Sequence, residues 1–186
     1  NEPEEARLAR QKAVKSAIHW EDALSIKTTL ESLKKRNWSL VVDGMFGIGL
    51  KEALTGNRSE LVETVNTFSC PVLALDVPSG LNADTGNVVG QDAVAIKATH
   101  TITFLADKPG LHTGKGRDYA GQVHVAPLDV DKKYFPETRC WLNSPKLFSR
   151  LLVPRLHDTH KGSYGRIAIV GGADGMAGAP VLAART

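Results

Sequence analysis

Two short apolar runs, each ending at an acidic residue, limit the fold of this chain more than any other feature. Leu40 to Val42 is followed by Asp43, and Val72 to Leu75 is followed by Asp76. Residues 59–68, between the two runs, carry apolar side chains three or four positions apart, which predicts a helix. Strands that are apolar throughout and joined by a helix are typical of neighbouring strands in a parallel sheet covered on both faces. We therefore expect an α/β fold, a three-layer doubly wound arrangement with an incomplete, mostly parallel sheet.

Further elements are predicted on both sides of this strand–helix–strand unit. Apolar residues at helical spacing among charges predict two helices before the first strand, at residues 4–18 and 21–35. Ser59 is the expected N-cap of the helix between the two strands. Two more β-rich segments are predicted at residues 101–105 and 122–125, and the second alternates in the manner of an edge strand.

Composition and charge argue against several classes of function. No apolar run approaches the roughly 20 residues that cross a bilayer, and the charged start lacks the apolar stretch of a secretory signal. We therefore expect a cytoplasmic protein without a membrane partner. Between Arg139 and Arg166, six Lys or Arg residues face a single acid, Asp158, an excess that could meet phosphates. Nucleic acid is not an expected partner, because neither a broad basic face with interleaved aromatics nor a recognisable motif is present. The distant Cys70 and Cys140 predict neither a disulfide framework nor a zinc site.

The two acids are the first candidates for a functional site. Asp43 and Asp76 are each the first polar residue past a predicted strand, at the edge where open α/β sheets bind ligands. On adjacent strands about 4.8 Å apart the carboxylates would converge, and two close anions must share a proton or recruit a cation. Ser79 adds a third oxygen, and oxygen ligands without His or Cys favour a hard ion. Alternatively, each Asp only caps the turn that follows it.

Glycine-rich loops follow the first predicted strand and surround the last. Residues 44–50, Gly-Met-Phe-Gly-Ile-Gly-Leu, expose backbone N–H groups that could hold a phosphate or a ring amide, although such loops often only turn the chain. They lack the Lys-Ser or Lys-Thr ending of an ATP-binding loop. Near the other end, glycines flank a predicted strand at residues 166–170 and precede a predicted helix that contains Pro180. A nucleotide's phosphates could lie against that helix N-terminus, but glycines that pack a helix on a strand would look the same.

Three blocks, taken in order, resemble the bifunctional NAD(P)H-hydrate repair enzymes. Residues 42–50 are similar to the Asp-Ala-Leu-Phe-Gly-Thr-Gly-Leu segment of that family's epimerase domain, with Ile48 where the family often has Thr. The second block, Leu-Asp-Val-Pro-Ser-Gly-Leu at residues 75–81, continues to Lys-Pro-Gly-Leu at residues 108–111. The third, residues 160–176, is similar to the opening of the family's dehydratase domain. The resemblance implies a Rossmann-like domain followed by the first strand and helix of a ribokinase-like domain.

The same resemblance implies a domain organisation. Residues 1–135 would be the C-terminal portion of the epimerase domain, residues 136–159 a linker, and residues 160–186 the start of the ADP-dependent dehydratase domain. The chain begins without Met and stops within a helical pattern, so we expect an internal piece of a longer enzyme. The family's Asn-Asn-Gly-Gly-Asp segment, its ADP or ATP site and the dehydratase's catalytic Asp are not found in it. We expect the chain alone to be inactive in both reactions.

The activity implied by the resemblance is repair of NADHX and NADPHX, the forms in which water has added to the reduced nicotinamide ring. The epimerase interconverts the R and S isomers, and the dehydratase removes water from the S isomer at the expense of ADP or ATP. By motif position, Asp43 and Ser79 would coordinate a potassium ion, and Asp76 would contact the substrate and assist the inversion as an acid or base. A homo-oligomer is expected for the full-length protein. The loop expected to contact substrate phosphates or ribose consists of Gly47, Ile48, Gly49, Leu50, Lys51, Glu52 and Ala53.

Two other classes of function are compatible with parts of the sequence. A non-catalytic scaffold is one, because epimerase-like domains also occur in interaction proteins. The presence of Asp43, Asp76 and Ser79 argues against it, since a scaffold has no need of a cation-binding trio. A sugar or vitamin kinase is the other, but it rests only on the ribokinase-like start and leaves residues 1–130 unexplained.

Overall fold

The chain is divided into two compact units, Asn1–Trp141 and Leu142–Thr186, in the computed structural model. The structure describes residues 3–16, 26–152, 154–160 and 162–185. The first unit contains a β-sheet and helices, and the second contains helical turns and one α-helix. In these ranges, no helix is long and apolar enough to span a membrane.

A parallel sheet organises the first unit. Its four strands are β1 Val41–Asp43, β2 Val72–Leu75, β3 His100–Phe104 and β4 Gln122–Ala126. They lie in sequence order, and every neighbouring pair is parallel. The predicted α/β fold with a parallel sheet is confirmed, as is the adjacency of β1 and β2. In the described sheet, β4 also occupies the predicted edge position.

Both ends of the first and third strands, and the end of the fourth, differ from the predictions by about one residue. Asp43, predicted to follow the first strand, is its last residue and pairs with Ala74 of β2. Its side chain is buried and hydrogen-bonded, so the polar residue does not have to leave the sheet. Leu40, half exposed, lies outside the strand. β3 begins at His100 and ends before Leu105, because a φ of 66° at Leu105 takes the chain out of the extended conformation.

Apart from a short helix at residues 116–119, which the sequence pattern does not predict, the described helices lie where they are expected but do not always have the expected ends. Within the described ranges they are α1 Glu4–Lys15, α2 Ile26–Lys34, α3 Asn57–Val65, α4 Gly116–Tyr119 and α5 Gly178–Arg185. Residues 17–25 of the two predicted N-terminal helices lie outside the described residues. The N-cap of α3 is Gly56 rather than the predicted Ser59. The helix begins earlier because Gly56 turns the chain with a φ of 58°, and the Ser59 hydroxyl then lies in the first turn and donates to the Gly56 carbonyl at 2.8 Å.

Two buried apolar clusters hold the first unit together. The first joins α3 to β2 and consists of Leu54, Val62, Val65, Val72, Ala74, Ile96 and Ala98. Leu61 and Phe68 pack against it, which confirms the predicted apolar face of α3. The second lies behind the turn after β2 and consists of Val77, Leu81, Ala83, Leu111 and Ala120. The turn after β2, which begins at Asp76, is therefore anchored by packed side chains.

The second unit departs from its prediction. α5 confirms the helix expected around Pro180, and 3₁₀ turns occupy Pro145–Leu147 and Ser149–Leu151. Residues 166–170 do not form the predicted strand, and Ile167 and Val170 are 89% and 96% exposed. A strand needs a neighbour to pair its backbone groups, and the described part of this unit contains none. Its ribokinase-like character stays a prediction.

Replacing Ile96 tests the first cluster. Ile96 is fully buried, so Ile96→Ala should lower the free energy of unfolding of the first unit by about 2–5 kcal/mol. Ile48→Ala is the matched control, because Ile48 is 66% exposed and should change stability by less than about 0.5 kcal/mol. Urea denaturation of the purified chain measures both. Equal effects of the two substitutions would contradict the assignment of this core.

Candidate functional site

The ends of β1 and β2 are joined by a buried carboxylate–hydroxyl pair. Asp43 is 4% exposed and Ser79 is 1% exposed. The Ser79 hydroxyl donates to Asp43 Oδ1 at 2.7 Å, and the Ser79 backbone N–H donates to Asp43 Oδ2 at 2.8 Å. The Phe46 N–H donates to Ser79 Oγ at 3.0 Å, and the Met45 N–H donates to Asp43 Oδ1 at 3.3 Å. One carboxylate therefore positions both the loop after β1 and the turn after β2.

Asp76 lies directly after β2, as predicted, in an uncommon backbone conformation. Its φ is 69°, and its N–H extends the β2–β3 ladder by donating to the Ile102 carbonyl at 2.7 Å. The next N–H, of Val77, donates back to the Leu75 carbonyl at 3.0 Å, which is the pattern of the rare, strained type of γ-turn. Such conformations cost about 1–3 kcal/mol, cluster at functional sites and persist only where the surroundings impose them. The strain marks Asp76 as a candidate functional residue.

The Asp76 carboxylate is held between a lysine and the glycine-rich loop. Lys108 Nζ donates to Asp76 Oδ1 at 2.9 Å, and the Ile48 N–H donates to Asp76 Oδ2 at 3.3 Å. Both charged side chains are mostly buried, with 16% of Lys108 and 20% of Asp76 exposed. Burial raises the pKa of Asp76, but the hydrogen bond and charge of Lys108, together with the Ile48 N–H, outweigh it and hold the pKa below its usual value. Asp76 is therefore ionised at neutral pH.

The predicted substrate loop meets Asp76 at its first two residues. A Cβ added to Gly47 would lie 2.6 Å from Asp76 Oδ2, so a larger residue there would displace the carboxylate. Ile48 donates its N–H to Asp76 but leaves its side chain 66% exposed. A Cβ added to Gly49 would have no atom within 4 Å, so the loop is open at this point. The ionised Asp76 therefore lies next to the start of the loop, and the loop is open at Gly49.

The second half of the loop turns away from the acids. Leu50 packs against the cluster around α3, and Ala53 is half-buried. Lys51 and Glu52 are exposed. In the described structure, residues 50–53 give no hydrogen bond to either carboxylate. Of the seven loop residues predicted to contact the substrate, the structure brings Gly47 and Ile48 to Asp76, the eighth residue predicted to do so.

Asp43 and Asp76 lie at the same edge of the sheet but have separate partners. Asp43 is held by Ser79 and backbone N–H groups, and Asp76 by Lys108 and Ile48. Among the described residues, no hydrogen bond joins the two carboxylates. Among the residues that the structure describes, no group of three or more His, Cys, Asp or Glu side chains is placed to hold a metal ion.

Lys108 is the site residue that the sequence reasoning missed. It belongs to the Lys-Pro-Gly-Leu block of the family resemblance, but nothing in its spacing assigns it a role. Only the parallel pairing of β2 with β3 brings it to Asp76. Its place after β3 was the available signal, because the carboxyl ends of all strands in a parallel sheet share one edge.

The fold and the site together define an α/β protein with a candidate ligand site at the carboxyl edge of a parallel sheet, where an ionised acid lies beside a glycine-rich loop. Comparison with known families specifies this class further. Residues 1–110 match the family described as YjeF-related protein N-terminus. The chain belongs to this family.

Curated relatives carry the name bifunctional NAD(P)H-hydrate repair enzyme Nnr. The Escherichia coli protein is 40% identical over 178 residues, which cover 95% of this chain and 33% of that protein. The Vibrio cholerae protein is 46% identical over 147 residues, with 78% of this chain and 29% of that protein covered. The Coxiella burnetii protein is 40% identical over 149 residues, with 78% and 30% covered. The chain spans about a third of the length of these relatives.

Acid should selectively weaken the contribution of Asp76 to stability. A carboxyl whose pKa is lowered by folding stabilises the fold above its unfolded pKa of about 4, and this contribution is lost as the pH falls through the folded value. Asp76→Asn removes the charge and keeps a residue that tolerates positive φ. The difference in unfolding free energy between wild type and Asp76→Asn should therefore be larger at pH 6 than at pH 3, as measured by urea denaturation. A difference independent of pH would contradict the ion pair.

Proposed function

We propose that this chain contributes to repair of hydrated nicotinamide nucleotides, by epimerising the R and S isomers of NADHX and NADPHX. The observation that supports this most is the position of the Asp76 carboxylate. Lys108 stabilises its ionised form, and it lies against the open start of the glycine-rich loop. The names of the curated relatives, which refer to NAD(P)H-hydrate repair, support the choice of substrate.

In this proposal Asp76 is the catalytic residue. Inversion requires a bond to the hydroxyl-bearing ring carbon to break and to re-form on the opposite face. Asp76 would take the proton of the substrate's hydroxyl group as that bond breaks and return it as the bond re-forms, so that no atom is gained or lost. A carboxylate that is ionised at rest begins as the base, and its contact with Ile48 places it beside the loop. The loop from Gly47 to Ala53 would contact substrate phosphates or ribose, with backbone N–H groups of its open part as donors.

The residues around Asp43 fit a potassium ion. Every donor that contacts this buried carboxylate in the described structure is neutral, namely the Ser79 hydroxyl and backbone N–H groups. A buried negative charge with neutral donors alone is costly, and a cation offsets that cost. The oxygens of Asp43 and Ser79, with the Phe46 carbonyl 3.3 Å from Ser79 Oγ, are the hard ligands that such an ion takes. When bound, the ion would supply the positive charge that balances Asp43.

The remaining parts of the proposal concern the longer protein. Residues 1–135 would belong to the epimerase domain, residues 136–159 to a linker, and residues 160–186 to the start of the dehydratase domain. In the full-length protein, ADP- or ATP-dependent dehydration of the S isomer would restore NADH or NADPH. We propose that the present chain alone is inactive in both reactions, and that the full-length protein is a cytoplasmic homo-oligomer.

Isomer interconversion tests the proposed function. A full-length protein that carries this chain should convert a single isomer of NADHX into the mixture faster than the uncatalysed reaction, as followed by chromatography. Asp76→Asn should lower kcat by at least about 100-fold, because the proton-transferring group is lost. Asp118→Asn, an exposed carboxyl change in α4, is the matched control and should leave kcat unchanged.

The outcomes separate the candidate functions. Wild-type rates in Asp76→Asn would remove Asp76 from the mechanism. A wild-type protein that leaves the single isomer unchanged in the presence of potassium would contradict epimerisation, and a non-catalytic interaction scaffold would then be the better account.

A further inference from the structure

Lys108 has two partners at the ends of two different strands. Its Nζ donates to the carbonyl of Phe104, which is the last residue of β3, at 2.6 Å. It also donates to Oδ1 of Asp76, which lies just beyond β2, at 2.9 Å. The side chain is 16% exposed, so most of it is removed from water. A mostly buried ammonium with two short, fixed acceptors has little freedom to rotate away. Lys108 therefore links the ends of β2 and β3 through one rigid contact.

The Phe104 carbonyl belongs to a second turn of the same type as the one at Asp76. Leu105 has a φ of 66°, and the Ala106 N–H donates across it to the Phe104 carbonyl at 2.8 Å. Both strands thus end in a strained γ-turn, and Lys108 contacts both turns. Strained turns keep their geometry only where neighbouring groups determine it. The ammonium group is such a neighbour for Asp76.

The acid next to Lys108 in the sequence does not compete for its charge. Asp107 accepts a hydrogen bond from the Lys108 backbone N–H at 2.9 Å, and its carboxylate contacts His112 Nε2 at 2.8 Å. The carboxylate of Asp107 is therefore occupied by His112 and the backbone. The Lys108 side chain is directed to Asp76.

We propose that Lys108 is a positioning residue for the epimerisation, which keeps the Asp76 carboxylate charged and pointed at the start of the glycine-rich loop. This inference rests on the proposed function. It assigns Lys108 no contact with the substrate: the lysine acts through Asp76, by fixing one carboxylate oxygen so that the other remains beside Ile48 and Gly47. Displacement of a catalytic group by about 1 Å can lower a rate by about 100-fold, so such a contact has a measurable effect on kcat.

Four variants of a full-length protein that carries this chain test the proposal. Lys108→Met removes the charge and keeps most of the volume, and Lys108→Arg keeps the charge. Lys97→Met is the matched control, because Lys97 is an exposed lysine elsewhere in the same unit. The fourth variant combines Lys108→Met with Asp76→Asn and is compared with Asp76→Asn alone. kcat and KM for a single NADHX isomer and the melting temperature are measured for each variant.

The expected pattern is specific to a positioning role. Lys108→Met should lower kcat about 10- to 100-fold with KM changed less than about threefold, Lys108→Arg should recover most of the loss, and Lys97→Met should match wild type. In the Asp76→Asn background, Lys108→Met should cause no further loss of kcat. Wild-type kcat in Lys108→Met, or a further loss in the double variant, would overturn the proposal. If Lys108→Met is unfolded at the assay temperature, Lys108→Gln replaces it, and the kcat of Lys108→Arg should again be higher than that of the uncharged variant.

A readout without catalysis separates this inference from the proposed function. Carbonyl-¹³C NMR of the chain, with Asp76 assigned by Asp76→Asn, follows the ionisation of this carboxyl. The pKa of Asp76 should be higher in Lys108→Met than in wild type, because the hydrogen bond and the positive charge of Lys108 are lost. The pair of Asp107 and His112 is the same in both proteins and does not contribute to the difference. An unchanged pKa would overturn the role of Lys108 even in an active enzyme. An inactive wild type with the expected pKa difference would instead count against epimerisation alone.

Discussion

The hydrogen bonds between Asp43 and Ser79 are the interaction on which the rest of the site depends. They connect the end of β1 to the turn after β2 inside the protein, where the two side chains are 4% and 1% exposed. Hydrogen bonds that involve a charged group are stronger than neutral ones, and a buried acceptor left without donors costs about 1–3 kcal/mol or more. The same carboxylate and hydroxyl also fix the backbone of Met45 and Phe46. The direction in which the glycine-rich loop leaves the sheet follows from these contacts.

With the loop fixed, Asp76 is placed by constraints from three sides. The β2–β3 ladder holds its backbone, the loop contributes the Ile48 N–H, and Lys108 supplies a positive charge. Gly47 lies so close to the carboxylate that a side chain on it would have to displace Asp76. The strained φ of Asp76 is thus one consequence of a site whose parts come from three strand ends. An ionised carboxylate in a fixed direction can accept a proton from a group bound beside it, which the proposed function requires of Asp76.

The sequence predicts the parts of this structure that depend on local pattern, and misses those that depend on tertiary contacts. Apolar runs that end at acids predict β1, β2 and the position of Asp76, because continuous apolar runs are typical of strands in parallel sheets. The role of Lys108 could not be predicted, since 32 residues separate it from Asp76 and only the sheet brings them together. Ser59 failed as an N-cap because Gly56 turns the chain earlier. Residues 166–170 are apolar enough for a strand but have no strand to pair with in the described part of their unit.

Amide hydrogen exchange in a Ser79→Ala variant tests most directly whether the Asp43–Ser79 contact holds the site together. The substitution leaves the Phe46 N–H without its acceptor and removes one donor to Asp43, while the first apolar cluster is untouched. Exchange at Phe46 and Ile48 should accelerate by about tenfold or more, corresponding to about 1.4 kcal/mol of lost protection, while Val62 in the core of α3 keeps its wild-type rate. Ser59→Ala, which removes only an exposed contact to Gly56, should leave the loop unchanged. Unaltered exchange at Phe46 and Ile48 in Ser79→Ala would contradict the account.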